Sequence, residues 1–265
     1  MKSSTDYKPS TSLAVLLVGE QKTGKTRTLF AFPDPWILDC DRNLYSAVRI
    51  APGKKFWFDD PYTDKDGKYI SDDIMLLPTK DSSRWARAYK LIQEAAKEPL
   101  VKTIVLDGWT ALTEMLIGHL ILCGFKDEGK KLDRLRIQDY QPLKTIMTSL
   151  IMALRNTGKI IVVTSHQKSD KDELTGRLRY TVNMPGSLCE NFGGLFTNTW
   201  ATQCTNNGGK LKYEILHQQS GFHVSLGTDR DLPMSTDVTD KTPDQVWAIL
   251  APKLTTAPLI STTTT

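Results

Sequence analysis

Six apolar residues at 13–18 run directly into the octapeptide 19–26, GEQKTGKT, which has the pattern GxxxxGK followed by threonine. Glycines let such a loop curl with its N–H groups pointing inward, where they meet phosphate oxygens at a helix N-terminus. Lys25 is expected to reach the β and γ phosphates, and Thr26 to offer its hydroxyl to Mg²⁺. The sequence therefore predicts a strand, a phosphate-binding loop and a helix that together bind a nucleoside triphosphate. The residues expected to contact the nucleotide are Gly19, Glu20, Gln21, Lys22, Thr23, Gly24, Lys25, Thr26 and Arg27.

Length, charge and cysteine content narrow the class of protein. The 265 residues suffice for one large α/β domain, and a net charge of +4 is small for a protein that coats nucleic acid. The four cysteines form no CxxC pair, and the four histidines complete no metal-ligand spacing. We therefore expect a reduced cytoplasmic protein with neither a secretion signal nor a membrane span.

Apolar runs alternate with helical patterns along the chain, which predicts an α/β fold with a mainly parallel central sheet flanked by helices. Strands are expected at 13–18, 36–39, 102–107 and 159–165, and helices at 82–98, 109–122, 140–158 and 242–250. Glycine-punctuated residues 178–229 predict antiparallel strands that extend the sheet towards the C-terminus. The expected organisation is a flexible tail at 1–12, a folded domain at 13–252 with an inserted excursion at 52–80, and a flexible tail at 253–265.

Acidic residues end two of the predicted strands. Asp107 follows an apolar strand, where its carboxylate can hold Mg²⁺ opposite Thr26. Asp39 and Asp41 end the strand that is expected beside the glycine loop, and an extended chain turns residues two apart the same way. Asp41, nearer the sheet edge, is the candidate for orienting an attacking water. Asp39 is the alternative base, a cap or a metal ligand, and the competing interpretation is that both aspartates cap a helix over 43–48.

His166 directly follows another apolar strand, at the edge where α/β sheets place their ligands. A polar side chain there can touch the γ-phosphate and report its loss to the loop that follows. Ser165 and Gln167 are alternatives for this sensor, and a structural histidine is the competing interpretation.

Two charged loops, at 126–136 and 168–180, are expected on the same edge of the sheet. Each has a small basic excess and a glycine, which suits a loop that orders on nucleic-acid phosphates. A solvated charged surface explains either loop equally well. The candidate nucleic-acid contacts are Lys126, Lys130, Lys131, Arg134, Arg136, Lys168, Lys171, Arg177 and Arg179.

With these residues in place, the chain resembles the RecA-type ATPases over about residues 13–226. The similarity lies in the glycine loop at 19–26 and in the ends of three strands, at 37–41, 103–107 and 165–166. Within that superfamily the chain most resembles phage nucleotide-binding proteins related to the Sak-type single-strand-annealing ATPases. The motifs typical of that group are Phe32-Pro33-Asp34-Pro35, Ile137-Gln138-Asp139-Tyr140 and Val163-Thr164-Ser165-His166. The chain departs from RecA in having aspartate and histidine where RecA has glutamate and glutamine.

The resemblance implies a RecA-like P-loop ATPase of phage recombination that uses ATP and Mg²⁺, binds single-stranded DNA and promotes annealing or recombination in a bacterial host cytoplasm. It also implies a homo-oligomeric ring or filament with ATP between protomers, DNA-facing loops at 126–136 and 168–199, and a single-strand-binding protein as a further partner. Arg230 is the candidate for a catalytic finger contributed by the neighbouring protomer. Two other classes stay open: a P-loop kinase of a small molecule, and a nucleotide-gated assembly or packaging ATPase that does not act on DNA.

Overall fold

The computed structural model of the chain builds nine strands and five helices from the residues that it describes. These residues are 13–45, 49, 51, 53–71, 73, 76–128, 135, 139–171, 178–184, 192–219, 226–228 and 231–251. The strands are β1 (Ala14–Gly19), β2 (Pro35–Asp39), β3 (Trp57–Asp59), β4 (Thr103–Asp107), β5 (Ile160–Lys171), β6 (Leu178–Val182), β7 (Asn198–Asn207), β8 (Lys210–Leu216) and β9 (Ser235–Asp237). The helices are α1 (Lys25–Leu29), α2 (Arg84–Lys97), α3 (Trp109–Glu128), α4 (Tyr140–Arg155) and α5 (Pro243–Leu250). The tails expected at 1–12 and 253–265 lie outside the described residues.

The described strands form one sheet in the order β3-β2-β4-β5-β1-β7-β8-β9, and β6 pairs with the outer part of β5. The six strands from β3 to β7 along this order run parallel, so their carboxyl ends meet at one edge. The strands β8 and β9 continue the sheet in antiparallel fashion. The expected α/β fold class, with a parallel centre and antiparallel strands towards the C-terminus, is confirmed.

Helices cover both faces of the sheet, so its central strands are buried on both sides. Within β1 and β4, Leu16 and Leu106 face the apolar side chains of α2, α3 and α4. The alternate residues Leu17 and Val105 face α1 and α5 on the other side. Side chains that alternate across a pleated strand explain this division, and it accounts for the continuous apolar runs in the sequence.

Local signals explain where several helices begin. The Ser83 hydroxyl accepts a hydrogen bond from the Ala86 N–H (3.2 Å) at the start of α2. The Thr242 and Gln245 side chains form a reciprocal capping box at the start of α5, with Pro243 in the first turn. These capping residues place both helix starts within two residues of the positions expected from the sequence.

Three features of the sheet differ from the sequence expectations. The strand β5 extends to Lys171 and does not end at Ser165. The strand β7 enters the sheet parallel to β1 and is antiparallel only to β8. Within the segment 52–80, β3 joins the sheet edge parallel to β2, and a bridge between Thr63 and Tyr69 closes a small turn.

Among the described helices, none is both long enough and apolar enough to cross a bilayer.

The buried His217, which follows β8, is expected to make the fold sensitive to acid. Its Nε2 lies 3.0 Å from the Thr236 hydroxyl, and Nδ1 has no hydrogen-bond partner among the described residues. Burial lowers the pKa of His217 to about 4, so the folded protein resists a proton that the unfolded chain takes up near its ordinary pKa of 6.5. Stability is therefore unaffected above that pH and is lost as the pH falls towards 4, by about 3 kcal/mol in total.

Urea unfolding at a series of pH values tests this expectation. The variant His217→Gln should show a shallower loss of unfolding free energy with acidification than the wild type, since glutamine does not titrate. Carboxylates titrate in the same range in both proteins, so the informative quantity is the difference between the two curves. Identical pH dependence in wild type and variant would contradict a role for His217.

Candidate active site

The glycine loop leaves the centre of the sheet, between the carboxyl ends of β5 and β7. Gly19 is level with His166 of β5 and with Thr202 of β7. A Cβ at Gly19 would collide with the Thr202 hydroxyl, so only glycine fits where the loop departs. Gly24, with φ of 95°, adopts the left-handed conformation just before α1. The two glycines of the motif are therefore needed for different reasons: Gly19 for lack of space, and Gly24 for its backbone conformation.

Lys25 is buried beneath the loop. Its Nζ donates to the carbonyls of Gly19 (2.9 Å) and Glu20 (2.6 Å). Burial lowers the pKa of Lys25, and the negative charges of Asp107, Asp41 and Glu20 oppose that effect. The ammonium group therefore lies at the start of the loop and within electrostatic range of both candidate site aspartates.

Asp107 lies at the end of β4 with its carboxylate almost fully buried, at 1% exposure. Oδ2 accepts a hydrogen bond from the Thr26 hydroxyl (3.1 Å), and Oδ1 accepts one from the Thr164 hydroxyl (2.6 Å). The pKa of Asp107 is raised to about 6, chiefly by burial and also by the nearby Asp41 and Asp39, against the opposing effect of the two hydroxyl donors. The pairing of Asp107 with Thr26 that the sequence predicts is present in the structure.

Asp41 reaches the same site by a turn of the chain after β2. The Cys40 N–H donates to the Asp107 carbonyl (2.9 Å), which carries the chain across the end of β4. Asp41 then lies against Gly108, where a Cβ would overlap its carboxylate. Asp41 Oδ2 is 3.4 Å from His166 Nε2, so Asp41 and His166 approach each other at the sheet edge.

Two sequence expectations about these aspartates are wrong. The strands β4 and β5 separate β2 from β1, so β2 does not lie beside the strand of the glycine loop. The carboxylates of Asp39 and Asp41 also diverge: Asp39 accepts hydrogen bonds from the N–H groups of Asn43 (3.1 Å) and Leu44 (3.2 Å). The chain bends at Cys40 and is not extended there, which explains the divergence. The capping interpretation therefore agrees with the contacts of Asp39 but not with those of Asp41.

The remaining loop residues line the outer side of the site. Glu20, Gln21 and Lys22 are exposed, and Lys22 has a φ of 63°. The Thr23 hydroxyl is 2.7 Å from the Thr202 hydroxyl and donates to the Glu20 carbonyl (2.9 Å).

Arg27 continues the loop into α1 and points away from Lys25. Its guanidinium donates to the Thr239 carbonyl (2.6 Å) and lies 5.8 Å from the centre of the Tyr213 ring. Arg27 also lines an open cleft of about 640 Å³, together with Lys54, Lys55 and Lys241. Asp240 and Asp244 also line it, so the lining has a small excess of positive charge, and this basic cleft adjoins the phosphate-binding helix.

Most of the expected nucleic-acid contacts fall outside what the structure describes. Lys130, Lys131, Arg134, Arg136, Arg177 and the proposed finger Arg230 lie outside the described residues, as do the side chains of Lys126, Lys171 and Arg179. Lys168 is described and exposed, in the part of β5 that pairs with β6.

Several residues that build the site were not singled out from the sequence as site residues. Thr164 holds Asp107, Gly108 admits Asp41, and Thr202 packs against the loop. Gly108 directly follows a candidate metal ligand, which is a signal for close backbone approach. Thr164 and Thr202 carry no local signal, because their contacts depend on which strands become neighbours.

Comparison with known proteins gives a family and two similar structures. A family model described as an AAA domain matches residues 11–207, the stretch that contains β1 to β7 and therefore every strand that ends at this site. No curated protein matches the chain. A KaiC-like protein from Pyrococcus horikoshii OT3 is 14% identical with a TM-score of 0.39, over 77% of this chain and 78% of that one. The flagellar accessory protein FlaH from Methanocaldococcus jannaschii is 10% identical with a TM-score of 0.41, over 88% of this chain and 87% of that one.

Replacing Asp107 by asparagine is expected to stabilise the fold at alkaline pH. The raised pKa means that the ionised carboxylate is unfavourable in the folded state, so stability is fully present below the ordinary pKa of 3.8 and is lost as the pH rises through about 6. Asparagine has the same shape and no charge. The gain is at most about 3 kcal/mol near pH 8, and it vanishes near pH 4.

Denaturant unfolding of Asp107→Asn and wild type at both pH values measures the difference. The same variant is also expected to lose any extra stability that added MgATP confers on the wild type, since Asp107 is a candidate metal ligand. Equal stability of the two proteins near pH 8 would contradict the assignment of a buried, ionised carboxylate.

Proposed function

We propose that the chain, which belongs to the AAA domain family, is a RecA-like P-loop ATPase that hydrolyses ATP with Mg²⁺ and couples this reaction to single-stranded DNA. The observation that carries the proposal is the meeting of two pairs at one sheet edge. Thr26 and Asp107 form one pair, and Asp41 and His166 form the other, beside the same buried lysine.

The residues present fit Mg²⁺ and a triphosphate. Thr26 and Asp107 offer a hydroxyl and a carboxylate oxygen, which are ligands that Mg²⁺ prefers. The described residues contain no group of three or more histidine, cysteine or acidic side chains that would enclose a metal alone. This agrees with an ion whose coordination is completed by water and substrate phosphates, as is usual for Mg²⁺. When bound there, the ion would neutralise charge on the transferred phosphoryl group.

Each side chain at the edge has a proposed task. When the nucleotide binds, Lys25 exchanges its hydrogen bonds to the Gly19 and Glu20 carbonyls for contacts with the β and γ phosphates. Its positive charge then stabilises the transition state. Asp41 accepts a hydrogen bond from the attacking water and orients it. His166, in contact with Asp41, senses the γ-phosphate and passes its loss to the outer part of β5.

We place the base and sugar of the nucleotide in the basic cleft beside α1. The cleft adjoins Arg27, the residue that follows the phosphate-binding motif, and its volume of about 640 Å³ is that of a typical small-molecule site.

The DNA contact is proposed for the loops at 126–136 and 168–180. Beyond His166, residues 167–171 of β5 pair only with β6, so this hairpin extends about 15 Å past the edge where β1 ends. The hairpin begins at the residue that contacts Asp41, and this continuity supports coupling between ATP and DNA. A homo-oligomeric ring or filament with ATP between protomers, a finger from Arg230, and a role in phage single-strand annealing complete the proposal.

Asp41→Asn is expected to lower kcat by about a hundredfold or more while leaving ATP affinity unchanged, because it removes a water-orienting base and no phosphate contact. Lys25→Ala should instead lose ATP binding with the fold retained. Glu94→Gln, at an exposed position of α2, is the matched control and should behave as wild type. Steady-state kinetics and equilibrium nucleotide binding separate these results. Loss of ATP binding in Asp41→Asn would reassign that residue, and full turnover in Lys25→Ala would overturn the proposal.

Single-stranded DNA is expected to stimulate ATP turnover. Replacing Lys130, Lys131, Arg134 and Arg136 together by alanine should weaken DNA binding and reduce the salt slope of log K by about 3. Replacing the exposed Lys65, Lys68, Lys90 and Lys97 removes the same charge elsewhere and is the matched control. An unchanged salt slope would show that the loop at 126–136 is a solvated surface that does not contact DNA.

Turnover that requires a phosphate acceptor would favour a kinase. Turnover that depends on neither DNA nor a phosphate acceptor would favour an assembly or packaging ATPase.

A further inference from the structure

The segment 60–84 contacts the turn that carries Asp41. The Tyr62 hydroxyl donates to the Cys40 carbonyl at 2.5 Å, and Cys40 lies between Asp39 and Asp41. The half-buried phenol is a dependable donor, because burial raises the pKa of Tyr62 to about 12. This hydrogen bond holds the chain at the point where it bends from β2 across β4.

Two arginines and two tyrosines surround that hydrogen bond. Arg42 has a φ of 55°, a left-handed conformation that a non-glycine residue adopts only with compensation. Its guanidinium lies 4.2 Å from the Tyr62 ring centre and 5.2 Å from that of Tyr69. Arg84, from the first turn of α2, lies 4.7 and 5.1 Å from the same two rings. We call Arg42, Tyr62, Tyr69 and Arg84 the arginine–tyrosine clamp.

The clamp is anchored to the rest of the fold through Arg84. The Arg84 guanidinium donates to the Ile70 carbonyl (2.8 Å) and to the Tyr69 hydroxyl (2.7 Å). Since α2 packs on the sheet core, the clamp connects the bend at Cys40 to a rigid element. The bend therefore has two sets of contacts: Tyr62 of the clamp contacts Cys40, and Gly108 and His166 lie against Asp41.

We propose that Tyr62 is a positioning residue for Asp41, and that the arginine–tyrosine clamp makes residues 60–71 part of the hydrolytic site. The hydrogen bond from the Tyr62 hydroxyl to the Cys40 carbonyl sets the direction in which the next residue, Asp41, presents its carboxylate to the attacking water. This assignment rests on the proposed role of Asp41 in ATP hydrolysis. It gives a role to a segment whose sequence indicated only an excursion.

Tyr62→Phe tests the proposal, because it removes the phenol donor and keeps the ring between the two guanidiniums. We expect kcat to fall about tenfold, the equivalent of one lost hydrogen bond, with the KM for ATP unchanged. In the nucleotide-free protein, hydrogen exchange of the amides at 40–44 should accelerate. Tyr89→Phe, at an exposed position of α2 outside the clamp, is the matched control, and its kcat should stay within about twofold of wild type. Wild-type turnover in Tyr62→Phe would overturn the proposal.

A double-mutant cycle shows whether Tyr62 acts through Asp41. In the Asp41→Asn background, Tyr62→Phe should cause no further loss of kcat. The same tenfold loss in both backgrounds would overturn the proposal. Full turnover in Asp41→Asn alone would instead overturn the proposed function, so the two failures are distinguishable.

Arg42→Gly tests the role of the clamp without changing Tyr62. Glycine accepts the left-handed backbone at this position and removes the guanidinium over Tyr62. It should lower kcat several-fold and accelerate exchange at 40–44 without changing ATP affinity. Unchanged exchange together with unchanged kcat in this variant would count against the clamp.

Discussion

The buried carboxylate of Asp107 is the constraint on which the rest of the site depends. It is held between a hydroxyl from the glycine loop and the Thr164 hydroxyl of β5, so the loop, the end of β4 and Thr164 must lie at the same level. The strand order, with β5 between β1 and β4, satisfies this requirement. Burial of the charge is unfavourable for the fold, as the raised pKa shows. A carboxylate kept there against its own desolvation indicates a functional role, such as binding a cation.

Close backbone contacts then decide which residues join Asp107. Glycine at 108 leaves room for Asp41, and glycine at 19 leaves room for Thr202. Asp41 follows β2, a strand that is not adjacent to β1, and it reaches the site because the chain bends at Cys40 over the end of β4. The candidate water-orienting group is therefore supplied by backbone packing at the sheet edge rather than by a neighbouring strand.

Local patterns in the sequence predicted many of the helices and strands, but they did not predict which strands pair in the sheet. The helix α2 and the box that begins α5 follow from apolar spacing and capping side chains within a few residues. The parallel entry of β7 and the separation of β2 from β1 depend on which strands pair, and residue patterns do not encode pairing directly. Residues 167–171 are polar because they extend beyond the core, so they resemble a loop in sequence although they form a strand.

The strand β5 links the parts of the site mechanically. Its apolar residues lie in the core, Thr164 holds Asp107, His166 contacts Asp41, and its outer half forms the hairpin with β6. A force on the hairpin therefore acts on a strand that touches both candidate site aspartates. Tyr62 holds the bend before Asp41 through a segment outside β5. Asp41 is thus the point where two separate supports meet, so a displacement of either support changes the orientation of its carboxylate.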